Sequence, residues 1–476
     1  MKDQQAPMVE IETDRLREFH LDFIPKGTMG IYLVGGAVRD ILLGRVPRDV
    51  DIVVLGDLFH TAKTIAKQIN GRLVDLGKKG FPLIRVASPT LTVDISPVAG
   101  GTIEADLLNR DFTLNALCLD LGTGGLLDPA NGLSDIRHST IRMVSPAALV
   151  NDPARLVRAF RFAAELGFSI SPETCGAIHY HRRSVQTVSG ERIWAELIRI
   201  FSAFSSAPVV RKMAQTGLLT AIFPELEPAV GCIQNRYHQF DVFDHTLAAY
   251  GHVEALVENF AAHFPALSRI AEKTDLISCG PLLKYSALLH DVGKPATRTT
   301  DSDGRIRFTE HDKKSAEIAG LINQRLKLSA HQHKTTKSIV RYHIRPLFLF
   351  VANKNNALTS TGKIRFFNAC GNLSLMILVH AMADRLAKER QPDAEKIPFI
   401  RFCHDLALDY EAYLNRQETV PPLISGNDLI TTFGLFPSPL FKTILGQVDE
   451  ARLAGTLTTR SQALSWVQQY LERLSA

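Results

Sequence analysis

Several features that would assign a chain at once are missing from this one. Its six cysteines (Cys118, Cys175, Cys232, Cys279, Cys370, Cys403) are widely scattered, and no two stand as C-x-x-C. That spacing excludes a zinc ribbon and a disulfide framework, and fits reduced thiols in a cytoplasm. The opening stretch MKDQQAPMVEIETDRL lacks the apolar core of a secretory signal. Apolar runs such as LSLMILVH (373–380) fall well short of the ~20 residues that span a bilayer, so no membrane association is expected. No internal repeat or low-complexity tract is present, and the net charge of +5 is too mild to name a partner. What remains is an ordinary globular composition, 45% hydrophobic and 22% charged, in a chain long enough for two to four domains.

The pattern changes once along the chain. From Ile31 to about residue 145, short β-rich runs (IYLV, DVDIVVL, PLIRVA, LTVDIS, LNALCLDL) alternate with helical segments, which predicts an α/β domain. From residue 151 onward strand signals nearly vanish. ARLVRAFRFAAELGF, ERIWAELIRIFSAF and SAEIAGLINQRLKLSA carry the 3.6-residue apolar period of amphipathic helices. Breaks are expected near FPELEP (223–228), RQPDAEKIP (390–398) and VPPLISG (420–426), all rich in proline or charge. The expected organisation is an N-terminal helix-and-loop segment (1–29), an α/β head (30–148), a helical neck (149–228), a helical domain (229–392) and a helical tail (393–476).

The strongest local signal is IYLVGGAVRDILLGRVPRDVDIVVLG, residues 31–56. A strand ends at Gly35-Gly36 and a helix begins almost at once, so backbone N–H groups and a positive helix end can approach a phosphate. Asp49 and Asp51 follow at the start of a β-run, separated by one residue and therefore predicted to share a face. Two residues of strand rise, roughly 6.5–7 Å, suit carboxylates gathered around a pair of metal ions.

GGAVRDILLGRVPRDVDIVV resembles the GGxVRD…DxD signature of class II tRNA nucleotidyltransferases and bacterial poly(A) polymerases, members of the DNA polymerase β superfamily. The resemblance implies a polymerase-β-type α/β head followed by an all-helical neck, HD domain and tail. It implies that Asp49 and Asp51 bind catalytic Mg²⁺, and that Gly35, Gly36 and Arg39 help hold a triphosphate. Asp94, in LTVDIS, stands where the superfamily often keeps a third carboxylate; a structural or merely exposed acid is the alternative. NRDFTLNALCLD (109–120) resembles the family's RRDFTxNA, which implies ribose and phosphate contacts for Arg110, Asp111 and Asn115; the family's first arginine is Asn109 here. LLDPANGLSDIRHSTIRMV (126–144) matches a D-P-x-x-G-x-x-D-I segment in which Asp128, Gly132 and Asp135 read as structural.

NDPARLVRAFRFAAELGF (151–168) resembles the family's EDxxR…RAxRFAxxLGF. Asp152 and Arg155, three apart, are predicted to share one helix face. A carboxylate that accepts from an exocyclic amine, beside an arginine that donates to a ring nitrogen, fits cytosine and adenine. Uracil and guanine present the reverse order and would leave buried polar groups unpaired. An i,i+3 surface ion pair is the bland alternative. Arg158 and Arg161 extend the basic side of that helix toward phosphates or neighbouring acids, and the family's leading glutamate is Asn151 here.

A separate constellation follows: His245 in FDHTL, His290-Asp291 in YSALLHDVGKPAT and Asp384 in HAMADRLA, ligand types suited to a divalent metal. LLHDVGK resembles the HD phosphohydrolases. His311 and His343 either complete a two-metal version or are RNA-facing or core histidines. The resemblance implies a metal-dependent phosphohydrolase on 2′-phosphorylated or 2′,3′-cyclic RNA ends. The segment 421–464 looks like the family's C-terminal stretch, expected to contact the tRNA elbow, although it holds no dense basic cluster.

The expected reaction is addition of CMP and AMP from CTP and ATP to the tRNA 3′ end. Only SPVAGGTIEADLL (96–108) separates LTVDIS from NRDFT, whereas many CCA-adding relatives carry a longer loop there. A short connection resembles CC-only enzymes, which need a separate A-adding enzyme as partner. Poly(A) polymerase or an A-adding enzyme is the alternative product class, although LGKKGFPLIRVA matches the poly(A)-specific G-R-R-F-x-L-x-H-V poorly. From other classes, an HD phosphohydrolase with a vestigial head and a non-catalytic RNA-binding module stay open.

Overall fold

The computed structural model describes residues 29–47, 49–78, 80, 82–234, 240–388 and 394–475. The expected N-terminal helix lies outside them, apart from Met29. The described residues form two compact units, one reaching to Ile200 with Lys212–Ile222, the other made of Phe201–Arg211 and the chain from Phe223 onward.

The first unit opens on a seven-stranded mixed sheet. Its strands are β1 (Ile31–Val34), β2 (Val50–Val54), β3 (Arg72–Asp75), β4 (Ile84–Ala87), β5 (Thr92–Pro97), β6 (Cys118–Asp120) and β7 (Leu126–Leu127), in spatial order β3-β4-β5-β2-β1-β6-β7. Only β2 and β5 pair in parallel; the other neighbours are antiparallel. Every predicted run supplies a strand, and β3 (RLVD) was not among them: it is four residues long and mostly exposed, so it carries little apolar signal. Helices α1 (Gly36–Leu42), α2 (Leu58–Gln68), α3 (Ile103–Leu108) and α4 (Gly132–Arg137) accompany the sheet. Asp128 caps α4, accepting from the N–H groups of Gly132 (2.7 Å) and Leu133 (2.9 Å). A Cβ on Gly132 would lie 2.2 Å from the Thr113 carbonyl oxygen, so only glycine fits that crossing.

Helices α5 (Pro146–Asn151), α6 (Ala154–Leu166), α7 (Pro172–His181) and α8 (Gly190–Ser202) follow. α6 buries Leu156, Val157, Phe160 and Phe162, and ends at Gly167 in the left-handed region.

The second unit is built mainly of helices: α9 (Val242–Glu258), α10 (Gly280–Leu289), α11 (His311–Arg325), α12 (Ala330–Tyr342), α13 (Ser374–Leu386) and α14 (Lys396–Thr419), with shorter ones between. The expectation of an all-helical region from the neck onward needs two corrections: Ser169–Ile170 pairs in parallel with Thr140–Ile141, and a hairpin forms in the second unit. Arg298–Thr300 and Ile306–Phe308 form an antiparallel hairpin, because Asp301-Ser302-Asp303-Gly304 supplies a turn with Gly304 at positive φ between threonine- and isoleucine-bearing flanks. The tail helices Gly426–Phe433, Pro439–Leu453 and Arg460–Ser475 close on their own apolar cluster of Leu429, Ile444, Val448 and Val467. Among the described residues one helical stretch, Ser360–Leu386, is long and apolar enough to cross a membrane. Of its most apolar window 72% is buried inside the protein, as in a core helix.

Candidate active site and metal centre

Strand register decides where the acids of the head meet. Asp51 and Asp94 are direct partners on the parallel pair β2–β5, so their side chains leave the same face of the sheet. Asp49 lies one residue before β2 rather than on it, in an exposed bend. Asp51 remains accessible to solvent while protein mass closes around it. This desolvation pushes its carboxyl above the usual range, with Arg110 opposing and Asp94 and Asp49 reinforcing the rise. Asp94 is held by Arg85 of β4 in a two-pronged ion pair, 2.7 Å to each oxygen. Among the described residues no side chain hydrogen-bonds Asp51, which leaves its oxygens available to a metal ion.

Gly35 ends β1 at φ 69° and ψ −131°, a conformation open to glycine. Its N–H donates to the Leu117 carbonyl (3.3 Å), so its contribution is closeness rather than a spare donor. A Cβ there would fall 2.7 Å from an Arg110 guanidinium nitrogen and 3.7 Å from Asp51. Gly35→Ala is therefore expected to displace Arg110 and lower the nucleotide addition that the sequence resemblance implies by about tenfold or more, with backbone strain of about 1–3 kcal/mol. Initial rates against NTP concentration, beside a thermal melt, would check this.

Arg39, Asp111, Asn115, Arg158 and Arg161 form a largely buried polar relay. Arg39 donates to Asn115 (2.8 Å), and Asn115 to Asp111 (3.0 Å). Arg158 donates to Asp111 (3.2 Å) and to Glu196 on α8 (3.0 Å), and Arg161 lies 2.9 Å from the other Glu196 oxygen. Burial would weaken the Arg158 charge, but Asp111 and Glu196 outweigh it and hold its pKa up; burial does depress that of Arg161. Arg39, which also donates to Asp40, and Asp111 are thus both engaged by neighbouring side chains. Arg110 is paired with Asp106, 2.9 Å away.

Asp152 and Arg155 do not share a helix as expected. Asp152 occupies the extended turn between α5 and α6, with Pro153 separating it from the first residue of α6. They still meet, with Arg155 Nε 3.9 Å from Asp152 Oδ2. Sequence reasoning missed Arg85, Arg192 and Glu196. The signal for the last two was ERIWAEL, where acid and base recur four apart beside an apolar stripe.

In the second unit, α9, α10 and α13 bring His245, His290 and Asp384 together, and Asp291, His311 and His343 form a second group. In each group one ligand atom per residue lies within 4.8 Å of the others. Asp291 links the two: one oxygen lies 3.1 Å from His290 Nε2 and 3.6 Å from His245 Nε2, the other 3.4 Å from His311 and 3.8 Å from His343. Backbone carbonyls of Ala287, Phe308 and Val340 engage Nδ1 of His290, His311 and His343 at 2.7–2.9 Å, which turns each Nε2 toward the centre. Asp291 Oδ1, which faces His311 and His343, is buried without a hydrogen-bond partner, while Oδ2 faces His290 Nε2 and the Lys294 ammonium. A pair of divalent ions would engage both oxygens, so the donor set fits two metals. Burial would raise the Asp291 carboxyl, but His290 and Lys294 hold it well below the ordinary range. His343 is driven well below its usual value by burial, and His380 to about 3. Neutral imidazole is the metal-binding form. His380, four residues before Asp384, was missed from the sequence, as was Lys294, whose ammonium lies 2.6 Å from Asp291. The centre opens into a cleft of about 750 Å³ whose walls include Lys294, Arg305, Arg307, Arg341, Arg345 and Lys388. That cationic lining suits a phosphorylated ligand.

Three family models match: Poly A polymerase head domain over residues 31–142, Probable RNA and SrmB-binding site of polymerase A over 167–230, and HD domain over 242–355. The chain is 32% identical to an A-adding tRNA nucleotidyltransferase of Deinococcus radiodurans, covering 94% of this chain and 97% of that one. It is equally 32% identical to a CC-adding tRNA nucleotidyltransferase of Thermus thermophilus, over 94% and 95%. A solved CCA-adding enzyme bound to CTP shares the fold, with TM-score 0.68 at 19% identity over 98% of this chain and all of the other. With a polymerase-type head, an HD domain and full-length likeness to both of these enzymes, the chain belongs to the tRNA nucleotidyltransferase family.

Proposed function

We propose that the protein extends the 3′ end of tRNA without a nucleic-acid template, using CTP as donor and stopping at CC. The division into head (30–148), neck (149–228), HD domain (229–392) and tail (393–476) is part of the same reading. The observation that carries the product is the connection after β5. Residues 99–108 are a short 3-10 turn followed by α3, with Ile103 and Leu107 in the head core. A packed helix takes the place of the longer loop associated with switching from C to A.

In this reading the RNA 3′-OH attacks the α-phosphate of CTP in line and pyrophosphate leaves. Asp49 and Asp51 hold the catalytic ions, with Asp94, kept in place by Arg85, as third carboxylate. Mg²⁺ bound there would supply a Lewis acid that activates the attacking hydroxyl and stabilises the leaving group. Gly36 and Arg110 lie on the triphosphate side; Arg39, Asp111, Asn115, Arg158 and Arg161 keep that side rigid. Asp152 accepts from the exocyclic amine of the base and Arg155 donates to its ring nitrogen.

Complete CCA addition from CTP and ATP is the second reading, favoured because the Asp152–Arg155 edge accepts adenine as readily as cytosine. Transcripts lacking CCA, ending in C and ending in CC, given CTP, ATP or both, discriminate at single-nucleotide resolution. Extension of the bare transcript by two residues, with no adenylation of the CC-ended one, is the expected result and requires a separate A-adding partner. Extension by three shows the complete enzyme. For the HD centre we propose a metal-dependent phosphohydrolase acting on 2′-phosphorylated or cyclic RNA ends, supported by the assembly of both ligand groups around Asp291 beneath a cationic cleft.

A further inference from the structure

A hydrogen-bond acceptor that reads a base must hold its lone pairs in a fixed direction, because a hydrogen bond weakens steeply off-line. Asp152 has no helix to fix it. Its backbone is extended (φ −139°, ψ 92°), and its side chain has two rotatable bonds. Arg192 on α8 fixes it instead: one guanidinium nitrogen lies 2.9 Å from each carboxylate oxygen. The Ala154 N–H adds a longer contact of 3.3 Å to Oδ1. Arg155 is held by different means, donating to the backbone carbonyls of Asn109 (3.3 Å) and Ala148 (3.2 Å). These are immobile acceptors, and they orient Arg155 although Asn151 stands where the family has glutamate. The arginine half of the reading edge is therefore set by backbone. The aspartate half depends on a side chain that is itself 53% exposed.

We propose that Arg192 is a positioning residue that sets which bases are accepted, by fixing the direction and hydrogen-bonding polarity of Asp152. One Arg192 nitrogen takes one lone pair on each oxygen, so an oxygen keeps a second lone pair for an incoming amine. Burial alone would raise the Asp152 carboxyl, but the Arg192 hydrogen bond and charge hold it below its ordinary range, so it stays acceptor-only. A carboxylate free to turn could instead accept from the ring N–H of uracil or guanine, and one that took up a proton could donate to their carbonyl. Arg192 does not touch the base; it acts through Asp152. The inference rests on the proposal that Asp152 and Arg155 read the base.

The test is single-turnover incorporation of each of the four nucleotides on a tRNA transcript lacking CCA. Wild type, Arg192→Gln, Arg192→Lys, Asp152→Asn and Arg155→Ala are compared, with thermal melts of each. Arg192→Gln is expected to lower the CTP-over-UTP ratio of kcat/KM by roughly tenfold or more, through slower CTP and faster UTP incorporation, at an unchanged KM for tRNA. Arg192→Lys should recover part of the ratio by restoring the charge. An equal loss with all four nucleotides would make Arg192 merely structural and overturn the inference, as would an unchanged ratio in a variant set where Asp152→Asn collapses it. If Asp152→Asn and Arg155→Ala both leave the ratio intact, the base-reading proposal itself falls.

Discussion

Asp51→Asn is expected to lower nucleotide addition to tRNA by at least about a thousandfold. The fold should survive, because Asp51 is accessible and no described side chain hydrogen-bonds it, so an isosteric amide leaves no buried partner stranded. What is lost is negative charge at the point where β2 and β5 place two acids side by side. An amide oxygen is a poor substitute for a carboxylate toward a divalent ion. Asp94→Asn should cost less, because Arg85 already neutralises much of that charge through two 2.7 Å contacts. Primer-extension rates at saturating CTP, with circular dichroism as a check on folding, measure both. Comparable rates for wild type and Asp51→Asn would remove the head from the reaction altogether.

Asp291→Asn is expected to empty the HD centre while leaving nucleotide addition within about twofold of wild type. This carboxylate approaches four histidines, two through each oxygen, so its loss disables both ligand groups at once. Metal analysis of the purified protein should show the stoichiometry at this centre falling toward zero. Hydrolysis of a 2′,3′-cyclic phosphate should fall by about a hundredfold or more. His311→Ala touches one group only and should retain metal in the other. If Asp291→Asn keeps its full metal content, the paired centre is not what the ligands form.

Much of this was legible in advance, for a physical reason. Gly35-Gly36, Asp51 and His290-Asp291 lie in short contiguous strings, where strand and helix periods determine which side chains converge. Contacts between distant segments were less visible. Glu196 bonds Arg158 across thirty-eight positions and Arg192 reaches Asp152 across forty, and no local period encodes such a pairing. Asp152 shows the complementary failure. An i,i+3 spacing placed it on a helix with Arg155, but Pro153 lies between them and the helix starts at Ala154, leaving Asp152 in the turn. The pair meets through the turn, at a distance the spacing rule was not describing. β3 and the hairpin at Arg298–Phe308 escaped because exposed short strands carry few apolar residues to count.

The relay from Arg39 through Asn115, Asp111, Arg158 and Glu196 to Arg161 constrains how this protein can evolve. Asp111 and Glu196 share Arg158, and Glu196 also serves Arg161, so losing Glu196 leaves Arg161 only a 4.0 Å approach to Glu165 inside the protein. Single substitutions along the chain should consequently be purged, and lineages that depart from it should do so by paired or triple replacement. Among homologues, positions 111, 158, 161 and 196 are then expected to drift as one heritable block, while the exposed Arg192 varies on its own schedule. Mutational neighbourhoods of this kind are narrow valleys: a lineage can alter the turn at Asp152, the residue proposed to read the base, long before it can rebuild the scaffold beneath.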